Sequence, residues 1–84
     1  MSKHRRTWDA IYASPTRANI PWKDIEAMMA YLGAEITEGP GSSVRVVLNG
    51  VRASFHRPHP ERETDKGAVV STRNFLDATG VDAP

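Results

Sequence analysis

Eighty-four residues, 39% apolar and 25% charged, make one small globular domain, of a size that buries roughly 60% of its unfolded-chain surface on folding. A formal net charge of +1 places no bulk electrostatic demand for nucleic acid, and the absence of cysteine excludes a disulfide framework or a thiolate metal site. No apolar run approaches the ~20 residues of a membrane helix and no signal-peptide core follows the basic start, so the expected setting is the cytoplasm, away from any membrane.

Charge distribution says more than the sum. Basic residues gather at Lys3, Arg5 and Arg6 and again between Arg45 and Arg57, while acids gather at Asp24, Glu26, Glu35, Glu38, Glu61, Glu63 and Asp65. In chain order, Lys3 to Ala13 predicts a short helix with Trp8, Ile11 and Tyr12 on one side, ended by Ser14-Pro15. After a polar linker, Pro21 opens a second helix whose stripe is Trp22, Ile25, Met29 and Leu32, with Gly33 as its stop. Ala34 to Glu38 alternates as a half-buried strand, and Gly39-Pro40-Gly41-Ser42 breaks it. Two strands follow near Ser43–Leu48 and Val51–Arg57. A polar connection through Lys66 leads to a last helix ending at about Thr79, with Thr64 or Asp65 as N-cap, Val69, Thr72, Phe75 and Leu76 inside, and Gly80 as stop.

Asn49-Gly50 between the two strands is the strongest short-range hairpin signal, because both residues tolerate the positive φ of a type I′ turn. A two-residue loop fixes the register by counting. Leu48 faces Val51, Val46 faces Ala53 and Val44 faces Phe55, and these apolar side chains are expected to be buried. The opposite face then carries Ser43, Arg45, Val47, Arg52, Ser54 and His56. The economical architecture is an α+β two-layer sandwich, with helices on one face of a three-stranded antiparallel sheet and the other face open.

The chemistry is expected on that open face. His56 lies opposite Ser43 with Arg45 diagonal to it, which sets a proton-transferring imidazole beside a guanidinium able to hold phosphate. Arg45, Arg52 and Arg57 are candidate nucleic-acid contacts, although such charges also keep an open sheet soluble. His59 sits between two prolines that restrict its backbone, and reads either as an aimed histidine or as a loop residue with no assigned work. His56 and His59 would need Glu61 or Glu63 as a third metal ligand. Neither a metal site nor another cofactor is expected. Trp8, Trp22, Tyr12 and Met28-Met29 read as core, and Lys3-His4-Arg5-Arg6 as a solvated basic tail, with phosphate contact as the alternative.

Several short motifs resemble the HicA family of bacterial toxins. They are the helix ending Tyr31-Leu32-Gly33-Ala34, the break at Gly41-Ser42, the hairpin, a histidine loop leading to Lys66-Gly67, and a closing helix ending Ala78-Thr79-Gly80-Val81. The resemblance spans residues 20–81 and leaves residues 1–19 as an N-terminal helical extension and linker. It implies a double-stranded-RNA-binding-domain-like fold and the role of toxin in a type II toxin–antitoxin system. It also implies cleavage of mRNA and neutralisation by a HicB-type antitoxin. The family's Gly-Ser-His-His is Gly41-Ser42-Ser43-Val44 here, so the usual catalytic histidine is missing, while His59 falls on a second family histidine. Because Ser43 faces His56, an imidazole from the adjacent strand can occupy nearly the missing position. The readings are a metal-independent endoribonuclease using His56, His59 and Ser43, a catalytically silent module of the same fold that binds RNA or antitoxin, and a plain interaction domain.

Overall fold

The computed structural model describes residues 2–58 and 62–84. Helix α1 (Lys3–Ile11) is capped by Ser2, whose hydroxyl accepts the Arg5 N–H at 3.1 Å. It ends short of the predicted Ala13 because Tyr12 closes it and Arg73 takes its last carbonyl. Arg73 Nε and Nη2 donate to the Ile11 oxygen at 3.1 and 2.9 Å, a cation at the negative end of the helix. Alongside, the Tyr12 hydroxyl donates to Asp77 at 2.6 Å. Burial, with that carboxylate next, raises the phenol's pKa above its ordinary value.

Strand β1 (Ile20–Pro21) leads directly into α2 (Trp22–Tyr31), with Pro21 at the cap position. The expected stripe is buried through Trp22, Ile25, Met28 and Met29. Gly33, at φ +104°, turns the chain into β2 (Glu35–Glu38), one residue later than expected. β3 (Ser43–Leu48) and β4 (Val51–His56) form the hairpin, β5 is Glu63–Thr64, and α3 runs Lys66–Thr79. Of the two candidate caps for α3, Asp65 is the one used, accepting the Ala68 N–H at 2.8 Å.

The three-stranded sheet has the antiparallel order β2-β3-β4. Asn49 and Gly50 both take positive φ, +50° and +79°, and the predicted register follows residue for residue from Leu48↔Val51 to Ser43↔His56. Val44, Val46, Leu48 and Phe55 are buried, whereas Val51 and Ala53 are only half-buried. β4 is an edge strand, so the apolar side chains nearest its turn lack cover on one flank. The Asn49 side chain also donates through Nδ2 to the Thr79 carbonyl at 3.1 Å, fastening the hairpin tip to the end of α3.

Helix α2 packs on β2 and α3 packs on β4, while α1 lies against both helices. The α2-β2-β3-β4-α3 order is compatible with a double-stranded-RNA-binding-domain-like fold. Ile11 of α1 is wholly buried in the same core as Ile25, Val46 and Leu76, so the 1–19 segment completes the core it precedes. The two-residue strands β1 and β5 pair as Ile20↔Thr64 and Pro21↔Glu63, a ribbon where the sequence predicted only a polar connection. Among the described residues, no helix is long and apolar enough to cross a membrane.

Candidate active site

Period-two alternation on the fixed register builds the open sheet face. β3 contributes Ser43, Arg45 and Val47, β4 contributes Arg52, Ser54 and His56, and β2 contributes Glu35 and Thr37 opposite Val47 and Arg45. Arg45, Arg52, Ser54 and His56 are all exposed. Arg45, Arg52, Ala53 and Ser54 line a shallow depression in this face. Among the described residues, neither Arg45 nor Arg52 is within ion-pairing distance of a carboxylate. Their charge is therefore available to a ligand.

Ser43 and His56 are direct cross-strand partners. They form a non-hydrogen-bonded pair, whose Cβ atoms lie about 4.5–5.5 Å apart. The preceding loop holds Ser43 firmly. Its hydroxyl donates to the Pro40 carbonyl at 2.8 Å, its N–H reaches the same oxygen at 3.2 Å, and its carbonyl accepts the Gly39 N–H at 3.0 Å. A Cβ at position 39 would meet Ser43 Oγ in its present rotamer, so a side chain there would turn the hydroxyl away from Pro40. With its proton committed to Pro40, Ser43 offers its neighbour lone pairs, and an imidazole N–H is a suitable donor to them.

Arg57 differs from the other two arginines predicted to meet nucleic acid. It lies just beyond β4, although its N–H still donates to the Ser42 carbonyl at 2.9 Å and extends the ladder past His56. Its guanidinium is occupied by carboxylates. Nε and Nη2 donate to Glu26 at 2.7 and 3.0 Å, and Nη1 donates to both Glu38 oxygens at 2.7 Å. Trp22 Nε1 also donates to Glu26. The hydrogen bond from Arg57 holds the Glu26 carboxyl below the usual carboxylate range, with burial opposing it and Trp22 assisting. This network ties α2, β2 and the exit of β4 together, and the sequence reading missed it. Parity carried the signal: residue 57 falls on the side of Phe55, where an arginine requires carboxylate partners.

The network carries a pH signature. A carboxylate with a lowered folded-state pKa stabilises the fold above its unfolded-state value, and the contribution is lost as pH falls through the lowered value. Replacing Glu26 by glutamine is expected to lower the Tm at neutral pH by about 5 °C. Part of the parent's acid-range loss of stability should vanish with it, and thermal melts from pH 7 down to pH 3 check both.

His59 and Glu61 lie outside the described residues. Among the described residues, no three histidine or acidic side chains are grouped to hold a metal ion. The arrangement thus presents one imidazole, one oriented hydroxyl and two unpaired guanidinium groups on a solvent-facing plate, a set able to bind a phosphodiester and move a proton beside it.

No curated protein and no solved structure matches the chain. A family model described as the HicA toxin of bacterial toxin–antitoxin systems matches residues 22–77. That span is two thirds of the chain, from the first residue of α2 nearly to the end of α3, and it contains Ser43, Arg45, Arg52 and His56. The chain belongs to the HicA toxin family of bacterial toxin–antitoxin systems.

Proposed function

We propose that this toxin is a metal-independent endoribonuclease that cleaves mRNA on the open sheet face and is silenced by a HicB-type antitoxin. The observation that carries the proposal is the pairing of His56 with Ser43 and the diagonal Arg45, on a strand pair whose register is fixed by the turn. His56 takes the proton of a ribose 2′-hydroxyl as its oxygen attacks the adjacent phosphorus. Arg45 stabilises the charge that develops on the phosphoryl oxygens, and Ser43 accepts a hydrogen bond that orients the imidazole. As the bond to the 5′-oxygen breaks, that oxygen receives a proton from an imidazolium, with His59 sharing the transfer. Arg52 meets a neighbouring phosphate. Arg57, engaged by Glu26 and Glu38, holds the end of β4 that bears His56.

One observation favours a second reading. No histidine stands at Ser43 or Val44, where the family carries its pair, and this suits a silent module that binds RNA or antitoxin without cleaving. Purified protein incubated with a long mRNA separates the two: cleavage supports the nuclease, and intact RNA with retained binding supports the silent module.

An antitoxin that blocks this surface would complement its cations with acidic side chains. Arg45→Glu is expected to weaken the toxin–antitoxin complex by about tenfold or more and to flatten its salt dependence. Titration calorimetry at two ionic strengths measures both, and unchanged affinity at each would place the antitoxin elsewhere.

A further inference from the structure

On the helical side of the molecule, α1 and the start of α2 enclose a groove of about 400 Å³ lined by Lys3, Arg6, Thr7, Arg17 and Asp24 around Pro21. We propose that this groove binds the phosphate backbone of RNA, a second grip on the strand cleaved at the sheet; the inference rests on the RNA reading above.

Charge is the first argument. Three cations against one carboxylate give the lining +2, more than the +1 of the whole chain. The single carboxylate is already answered, since Lys3 Nζ lies 3.2 Å from Asp24. Arg6 and Arg17 are exposed, and among the described residues neither has a carboxylate within ion-pairing distance. Guanidinium groups present paired N–H donors that match phosphate oxygens.

The floor supplies the second argument. Its apolar residues are Ala10, Ile20 and Pro21, of which Ile20 is only 4% exposed and the other two are half-buried, and Thr7 is 7% exposed with its hydroxyl donating to the Lys3 carbonyl. A protein partner needs a large apolar or aromatic anchor, and the accessible apolar residues here, Ala10 and Pro21, are small and not aromatic. A phosphate backbone needs cations in a concave, hydrated surface, which the groove offers. All three cations precede residue 22, where the family match begins, so the positive charge of the groove is a feature of the N-terminal segment.

The test uses the full chain and a fluorescein-labelled 2′-O-methyl RNA about 20 nucleotides long, which lacks the attacking hydroxyl and cannot be cleaved. Binding is followed by anisotropy from about 50 to 200 mM salt. The double variant Arg6→Glu/Arg17→Glu is compared with Arg45→Glu/Arg52→Glu and with the parent. Glutamate at position 6 lies near the positive end of α1, so circular dichroism should show an intact fold. Loss of two phosphate contacts predicts a salt slope shallower by about 1.4 and affinity reduced about tenfold at about 100 mM salt. RNA binding by the groove variant with unchanged affinity and slope, while the sheet variant is weakened, would overturn the groove and leave the RNA reading standing. No binding by the parent would overturn both. A groove variant that keeps RNA but loses the antitoxin would reassign the surface to the protein partner.

Discussion

His56→Ala is expected to reduce RNA cleavage by about 10²–10⁴-fold and to abolish growth arrest on induction, with the fold intact. His56 is exposed at the end of an edge strand and contributes to no core contact, so the loss should be chemical. The comparison that gives the experiment force is His59→Ala. His56 is held opposite Ser43 on a strand pair of fixed register, the kind of support that catalytic geometry needs, and His59→Ala is expected to retain partial activity. The family pattern favours the opposite ranking, because His59 is the position that coincides with a family histidine. An inactive His59 variant beside a fully active His56 variant would refute the cross-strand replacement. Gel-resolved cleavage of a defined mRNA, with circular dichroism of each variant, measures both.

The largest effect on stability is expected at Phe55. Its ring meets Phe75 edge-on at a centroid separation of 5.9 Å and Trp22 at a tilt at 5.5 Å, joining β4 to α3 and α2. Truncation to alanine removes both aromatic contacts and leaves a cavity between the layers, a loss of about 3–5 kcal/mol. A small domain has about 5–15 kcal/mol in total, so the variant should unfold at much lower urea and be partly unfolded at 37 °C. Urea titrations of the parent and Phe55→Ala, with unchanged slope, would establish it. A loss below about 1 kcal/mol would mean that the layers close over the cavity.

Local chemistry made the hairpin legible. Two residues that accept positive φ set the turn, the turn set the pairing, and alternation assigned every side chain from Ser43 to His56 to a face. Capping likewise gave Gly80 as one limit of the last helix and narrowed the other to Thr64 or Asp65. What escaped was whatever depends on contacts distant in sequence. Glu26 and Glu38 lie 31 and 19 residues from the arginine they hold, and Arg73 closes a helix 62 residues earlier. The β1–β5 ribbon escaped for a different reason. Its strands are two residues long and one contains a proline, so neither displays a period, and backbone bonds hold them: Asn19 and Trp22 N–H groups donate to the Thr64 and Arg62 carbonyls, each at 3.1 Å. The open face was foreseen as a surface, but that Arg57 would be engaged by carboxylates away from it was not. Arg45 and Arg57 look alike in sequence, and only the carboxylates folded against Arg57 separate them.

The link from Asn49 to Thr79 bears on why the turn is spelled as it is. Asp-Gly makes a type I′ turn as readily as Asn-Gly, so local geometry alone gives no preference between them. The long-range bond does. An amide has an N–H to donate to a helix-terminal carbonyl, whereas an aspartate would set a second negative charge against the negative end of α3. The identity of residue 49 is thus decided by a helix thirty residues away in the chain. A position that seems to record only the bend of two strands also records which helix end lies beneath them.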